Sequence, residues 1–186
     1  MRNLVAAIVT VLMLGLVAGP AWAVANGFVP PETTERVVCD PEWENICTAG
    51  PGQTSQLYIG TNGADSIAAR GGDDHIQGKN GGDALYGNTG RDFFEGGVGN
   101  DTIRGNQQPD TILAGGGADT LYGDEGPDHL VGASGQDTFY AYGDGRRDRS
   151  DGRRDRINCG ADFDRAYVDR DDIVGETCES VRPGKP

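Results

Sequence analysis

An aspartate falls on every ninth residue through the middle of the chain, and evenly spaced carboxylates are candidate ligands for cations. The nine positions are Asp65, Asp74, Asp83, Asp92, Asp101, Asp110, Asp119, Asp128 and Asp137. Carboxylates that stack at strand spacing repel one another unless a cation lies between them. The spacing therefore predicts a cation site that recurs along the chain, provided that the fold places one aspartate above another.

Glycines accompany these aspartates at two fixed offsets. Two residues before each Asp, eight of the nine repeats have glycine and the ninth has Gln108: Gly63, Gly72, Gly81, Gly90, Gly99, Gly117, Gly126 and Gly135. Five residues before it, seven repeats have glycine and the others have Ala69 and Ala114. Glycine permits positive φ and a close approach of the backbone. The exposed turn carbonyls of the first set join the aspartates as candidate metal ligands.

A bulky apolar residue follows two positions after each Asp and indicates the elements that carry the loops. These residues are Ile67, Ile76, Leu85, Phe94, Ile103, Ile112, Leu121, Leu130 and Phe139. Each one centres a tripeptide that reads outward, inward, outward, which is the period of a short strand. One unit cannot bury its single apolar side chain alone, so neighbouring units must stack. The sequence predicts an all-β parallel β-solenoid of about nine nonapeptide repeats with two repeats in each coil.

Stacked coils would arrange the aspartates in two columns, one from each set of alternate repeats. Adjacent pairs in the columns leave four and three gaps, so we expect up to about seven sites for Ca²⁺, a hard cation that prefers carboxylate and carbonyl oxygens. The sixth loop departs from the pattern, because Gln108 replaces a glycine and Pro109 restricts the residue before it to extended conformations. We therefore expect the sites that share Asp110 to be impaired.

The array resembles the hemolysin-type, or repeats-in-toxin (RTX), nonapeptide G-G-x-G-x-D-x-U-x. Its best single copy is GGVGNDTI at residues 96–103, and the resemblance covers about half of the chain. It implies a parallel β-roll, a right-handed β-solenoid, in which Ca²⁺ ions bind between loops two repeats apart. It also implies that folding depends on calcium, so the metal-free form should be loose.

The chain begins with features of an export signal. An apolar run from Leu4 to Val17 precedes the small-residue motif Ala21-Trp22-Ala23. Such a run is short for a membrane span, so we expect cleavage after Ala23 and secretion of residues 24–186, with a retained N-terminal anchor as the alternative. The expected organisation is a signal peptide at 1–23, a cap or linker at 24–56, the β-roll at 57–143 and a C-terminal capping segment at 144–186.

Four cysteines flank the array, and an exported chain would oxidise them. Cys39 and Cys47 lie eight residues apart and are expected to pair with each other. The C-terminal segment resembles that of small exported RTX-type proteins in which two cysteines close the last coil, which implies a Cys159–Cys178 disulfide. Four cysteines allow three connectivities, and the sequence leaves that choice open.

Composition and motifs argue against several functions. The chain has a net charge of −13, and the arginines of residues 144–156 alternate with aspartates, so no basic patch for nucleic acid is expected. It has no zinc-protease helix motif, nucleophile elbow or phosphate-binding loop. His75 and His129 would lie three coils apart, too far to share one zinc ion. We therefore expect a protein without catalytic residues and without a membrane span after cleavage.

The outward strand positions leave two hypotheses for function. The first is an exported calcium-binding module that folds on meeting extracellular Ca²⁺. The second is an adhesive or matrix protein, in which calcium stiffens an outer face that binds glycan or a cell surface. That face would carry threonines in one column and Tyr86, Tyr122 and Tyr140 in the next, although such residues also simply suit exposed strands. An unrecognised hydrolase is the third and weakest interpretation.

Overall fold

The computed structural model describes residues 35–38, 46–48, 55–142 and 153–183 of the 186-residue chain. These residues form sixteen β-strands and no helix. None of them therefore belongs to a helix long and apolar enough to cross a membrane. The apolar run, the cleavage motif and Cys39 lie outside the described residues, so the signal peptide and the Cys39–Cys47 pair stay predictions.

Two parallel sheets of eight strands each contain all sixteen strands. Sheet A consists of β1 (Glu35–Val38), β3 (Gln56–Ile59), β5 (His75–Asn80), β7 (Phe93–Val98), β9 (Thr111–Gly116), β11 (His129–Ser134), β13 (Arg156–Ala161) and β15 (Ile173–Val174). Sheet B consists of β2 (Ile46–Thr48), β4 (Ser66–Ala68), β6 (Ala84–Thr89), β8 (Thr102–Gln107), β10 (Thr120–Glu125), β12 (Thr138–Ala141), β14 (Arg165–Val168) and β16 (Ser180–Pro183). The chain alternates between the sheets, so one coil contributes one strand to each.

The register confirms that one coil takes two repeats. Leu85 pairs with Ile103, and Leu121 pairs with Phe139, so equivalent apolar residues on adjacent strands are 18 residues apart. The prediction of an all-β parallel β-solenoid is therefore confirmed. The sheets also extend beyond the nine predicted repeats, because β1, β2 and β3 precede the array and β13 to β16 follow it.

The core is a ladder of the predicted apolar side chains. All nine of them, from Ile67 to Phe139, are fully buried, and Tyr58 continues the ladder at its N-terminal end. The next inward position, two residues later, holds glycine or alanine in the array and Cys159 and Val168 in the C-terminal segment. This interior is narrow, so each repeat contributes one large apolar side chain and one aspartate.

The C-terminal segment continues both sheets. Leu130 pairs with Ile157 and Phe139 pairs with Ala166, an offset of 27 residues instead of 18. One nine-residue unit is therefore passed over between β12 and β13, in the stretch that contains residues 143–152, which lie outside the described residues. The predicted Cys159–Cys178 disulfide is confirmed, with Cα atoms 5.1 Å apart, and joins β13 to the residues that precede β16.

Candidate metal centre

The glycines two residues before the aspartates form the tight part of each loop. Seven of the eight have φ between +107° and +156°, and Gly63 is the exception. A β-carbon on Gly81 would lie 2.5 Å from the carbonyl oxygen of Gly63, one coil earlier, and Gly90, Gly99, Gly117, Gly126 and Gly135 show equivalent contacts. Glycine is required at these positions both for backbone conformation and for the close stacking of successive loops.

Every aspartate of the array is buried and belongs to a hydrogen-bonded column. Their exposed fractions are 0–4 %. The backbone N–H of each Asp from Asp65 to Asp119 donates to Oδ1 of the Asp 18 residues later, at 2.7–2.9 Å. The two predicted columns therefore exist, and one oxygen of each carboxylate ties adjacent coils together.

The second carboxylate oxygen has a different environment. In the part of the chain that the structure describes, Oδ2 is buried without a hydrogen-bond partner in eight aspartates: Asp74, Asp83, Asp92, Asp101, Asp110, Asp119, Asp137 and Asp164. Burying an anionic oxygen without a partner is strongly unfavourable. A column of such atoms therefore indicates that each one faces a cation or carries a proton.

Backbone carbonyls lie near several of these open oxygens, at the glycines five residues before an Asp. A β-carbon on Gly96 would lie 2.6 Å from Oδ2 of Asp101 and would also contact the carbonyl oxygen of Ala114, one coil later. The same holds at Gly78, where the contacts are Oδ2 of Asp83 and the Gly96 carbonyl oxygen, the latter at 2.5 Å. The missing side chain thus leaves a cradle lined by one carboxylate oxygen and one carbonyl oxygen.

This donor set fits calcium better than a transition metal. No group of three His, Cys, Asp or Glu side chains is close enough to hold a metal among the residues described. A site made from one or two carboxylates with several carbonyls suits Ca²⁺, which takes six to eight oxygen ligands. The carbonyl oxygens beside Oδ2 belong to residues that lie five positions before an Asp. The carbonyls predicted as ligands belong to the glycines two positions before an Asp, and these, such as that of Gly63, pack against the equivalent glycine of the next coil.

Burial changes the acidity of the column. It raises the pKa of Asp74 to about 8, of Asp92 to about 7 and of Asp110 to about 9, because the charged form loses its hydration. The backbone N–H bonds oppose this shift, and neighbouring carboxylates add to it. Several aspartates would therefore be protonated near neutral pH unless a cation compensates their charge.

Two loops differ from the rest. Asp65 accepts hydrogen bonds from Thr61 on both oxygens, including 2.7 Å from the N–H of Thr61 to Oδ2, so protein donors surround this carboxylate. In the sixth loop, Gln108 adopts φ +70° although Pro109 follows it. Asp110 is buried and keeps both column hydrogen bonds. The left-handed conformation thus accommodates Gln108, and Asp110 keeps its place in the column, while the impairment of the calcium sites that share Asp110 stays a prediction.

The columns extend past the array through residues that sequence reasoning missed. Asp128 and Asp137 donate their N–H groups to Oδ1 of Asp155 and Asp164, at 2.8 and 2.7 Å. Asp155 then donates to Asp172, and Asp164 donates to Oε2 of Glu179. Asp155 and Asp164 lie 18 and 27 residues after Asp137, so they resume the nine-residue period that Arg146 interrupts.

The predicted tyrosine column lies on the outer face of sheet B, and Tyr122 and Tyr140 of this column stack on one another. The Tyr122 and Tyr140 centroids are 4.7 Å apart with planes 8° apart, and Tyr140 stacks on Tyr167 at 5.1 Å and 4°. The Arg104 guanidinium lies 4.3 Å from the Tyr122 ring centroid. Near-parallel rings this close must face each other, so their outward surface consists of ring edges and hydroxyls.

The two histidines lie on strands β5 and β11, three coils apart, as predicted. His75 contacts Glu95 at 3.2 Å and packs edge-on against Phe93. A shared zinc site is therefore excluded by distance.

The fold and the loops together define a β-roll repeat protein with oxygen-lined Gly/Asp loops. Four overlapping copies of the RTX calcium-binding nonapeptide repeat match the chain, at residues 59–94, 77–112, 95–130 and 113–147. The chain belongs to this family, and the family implies Ca²⁺ as the cation. Comparison with curated proteins and with solved structures found no match to this chain.

Proposed function

We propose that the chain is a secreted, non-catalytic calcium-binding protein whose β-roll folds when several Ca²⁺ ions bind between stacked Gly/Asp loops. The observation that carries this proposal is the column of buried Oδ2 atoms, of which those of Asp83, Asp92, Asp101, Asp110 and Asp137 share a glycine cradle with a backbone carbonyl. The proposed ligands are the nine aspartates from Asp65 to Asp137 with the carbonyls of their loops, giving up to about seven ions. Asp65 is their weakest member, because Thr61 already satisfies it.

Calcium-dependent folding follows from the balance of burial and charge. The core offers one large apolar side chain in each repeat, while each repeat also buries a carboxylate. The desolvation of these carboxylates opposes folding unless a cation replaces their water. We expect affinities of the order of 10⁻⁴–10⁻³ M, as in other extracellular modules, so that the protein would fold outside the cell and stay loose inside it.

Secretion and the absence of catalysis rest on separate observations. The Cys159–Cys178 disulfide suits an oxidising compartment, and the N-terminal apolar run with its Ala-Trp-Ala motif suits export. Every aspartate of the array has a repeating structural role, so none is set apart as an acid, base or nucleophile.

A calcium titration of the full-length chain, followed by far-UV circular dichroism with magnesium as the control, tests this proposal. We expect a cooperative gain of β-sheet signal between about 10⁻⁴ and 10⁻³ M Ca²⁺ and no gain at equal Mg²⁺. A chain that is fully folded in chelator, with no response to calcium, would refute calcium-dependent folding. Hydrolase activity screens of folded Asp→Asn variants test the proposal that the protein is not an enzyme. Turnover that persists in some of these variants would show that the protein is a hydrolase.

A second candidate function is adhesion to an extracellular glycan or cell surface through the outer face of sheet B. Its support is the aligned row of Thr102, Thr120 and Thr138 beside the stacked tyrosines, which presents hydroxyls at strand spacing. Because the rings cover one another, contact would use hydrogen bonds at ring edges instead of sugar stacked on ring faces. Retention of calcium-loaded protein on glycan or cell-wall columns, lost in Tyr140→Phe, would support it; no retention of the wild type removes it.

A further inference from the structure

The junction between the nonapeptide array and the C-terminal segment collects oxygens that lie partly outside the matched repeats, which end at residue 147. The N–H of Asp137 donates to Oδ1 of Asp164 at 2.7 Å. Asp164 is fully buried, and its Oδ2 has no hydrogen-bond partner among the described residues; Oδ2 of Asp137 is in the same condition. Two carboxylates on adjacent coils thus each bury an oxygen that a cation would satisfy.

The main chain of Cys159 brings a third oxygen to this place. A β-carbon on Gly132 would contact Oδ2 of Asp137 and would lie 2.5 Å from the carbonyl oxygen of Cys159. The cradle resembles those of the array, but its carbonyl comes from a residue 27 positions later instead of 18. The coil that completes it therefore belongs to the C-terminal segment.

The disulfide ties this carbonyl to the residue that supports Asp164. Cys159 is bonded to Cys178. Glu179 follows Cys178 directly, and its Oε2 accepts a 2.9 Å hydrogen bond from the N–H of Asp164. A single covalent bond thus holds both the Cys159 carbonyl and the acceptor that positions the Asp164 backbone.

We infer that the junction is a further calcium site formed by Asp137, Asp164 and the carbonyl oxygen of Cys159, and that the Cys159–Cys178 disulfide keeps it assembled. The inference rests on the proposed calcium-binding function and adds a site that the matched repeats do not contain. Three oxygens of this kind are ligands for a hard cation. Because linkage is reciprocal, the factor by which reduction weakens calcium binding equals the factor by which calcium opposes reduction.

Counting bound calcium on the full-length chain by equilibrium dialysis tests the site. Asp164→Asn keeps the Oδ1 acceptor for Asp137 but removes the carboxylate, so it should lose one ion or bind that ion at least about tenfold more weakly. Asp162→Asn is the matched control, because Asp162 is exposed and its φ of +80° suits asparagine. Equal losses in both variants would overturn the inference, whereas a wild type that binds no calcium would refute the proposed function itself.

The redox equilibrium of Cys159 and Cys178 gives a second, independent measurement. In glutathione buffers, saturating calcium should shift this equilibrium toward the disulfide by about tenfold in the wild type, as read by mass spectrometry of labelled thiols. The shift should disappear in Asp164→Asn and persist in Asp73→Asn, which alters an exposed carboxylate in a distant repeat. No shift in the wild type, or equal losses in both variants, would overturn the link between disulfide and calcium, even if Asp164→Asn folded poorly.

Discussion

Asp73 and Asp74 are adjacent carboxylates that accept the same kind of hydrogen bond but differ in their second oxygen. Oδ1 of Asp74 accepts from the N–H of Gln56, and Oδ1 of Asp73 accepts from the N–H of Arg91, both at 2.8 Å. Asp73 is exposed, whereas Asp74 is fully buried and its Oδ2 has no partner among the described residues. Asp73 is therefore a structural carboxylate, whereas Asp74 is a candidate ligand for a cation.

Asparagine substitution at these two positions should therefore give different calcium responses. Each change keeps an Oδ1 acceptor and removes one negative charge. Asp74→Asn should raise the calcium midpoint of folding by about tenfold, equivalent to about 1.4 kcal/mol, because it removes a ligand oxygen with its charge. Asp73→Asn should shift the midpoint by less than about twofold, as expected for an exposed charge. Equal shifts in circular-dichroism titrations would show that net charge, and not the buried oxygen, sets calcium dependence.

The raised pKa values predict that acid stabilises the metal-free roll. Burial raises the pKa of Asp83 and Asp137 to about 6, of Asp119 to about 7 and of Asp110 to about 9, from an ordinary 3.8. Between pH 4 and pH 9 the folded chain then binds more protons than the unfolded chain, so the free energy of unfolding falls as pH rises. Below pH 4 both states are protonated and this gain is complete.

In chelator, the β-sheet circular-dichroism signal should therefore grow as pH falls from 8 to about 5. The unfolded chain and the calcium-loaded roll are both deprotonated above about pH 5, so the calcium midpoint of folding should not fall as pH rises. Calcium that binds to a roll already folded by acid should release protons. Asp110→Asn should flatten the pH dependence, since an amide does not titrate. A metal-free chain that is equally unfolded at pH 5 and pH 8 would contradict the prediction.

The sequence predicted the stacking of the repeats because stacking depends on period alone. Leu85 meets Ile103 for the same reason that Asp83 meets Asp101: both pairs are two nine-residue units apart. The same period would have found Asp155 and Asp164, whose offsets from Asp137 are multiples of nine. Asp172 and Glu179 follow at intervals of eight and seven residues, so only the geometry of the last loops identifies them.

Spacing could not predict how each oxygen is used. The choice of Oδ1 for the backbone N–H, with Oδ2 left beside a carbonyl, depends on side-chain orientation. The two glycine positions look alike in the sequence, yet Gly99 has a positive φ and Gly96 makes room for a carboxylate. Thr61 satisfies Asp65 through one loop conformation that the repeat pattern does not specify.

Alanine substitution distinguishes a positive-φ loop glycine from a glycine that has room for a side chain. Gly99 has φ +139°, and a β-carbon there would overlap the carbonyl oxygen of Gly81. Gly99→Ala should destabilise the calcium-loaded roll by about 1–3 kcal/mol or more. Gly116→Ala is the control, because its β-carbon would meet only the Ser134 hydroxyl at 3.2 Å. Thermal unfolding in saturating calcium measures both; similar melting temperatures would show that the loops relax freely.

The tyrosine stack on sheet B should contribute to stability independently of calcium binding. Tyr140 is stacked between Tyr122 and Tyr167, so Tyr140→Ala removes two ring contacts at once. Each such pair stabilises by about 0.5–1.5 kcal/mol beyond area burial, which gives an expected loss of about 1–3 kcal/mol in saturating calcium. Tyr140→Phe keeps the stacking and should retain most of that stability while it removes the hydroxyl.

Because the rings point away from the aspartate columns, the number of bound calcium ions should stay unchanged in both variants. If Tyr140→Ala is as stable as the wild type in denaturant titrations, the stack forms without stabilising the sheet. A change in the number of bound calcium ions would show that the outer face and the loops are coupled.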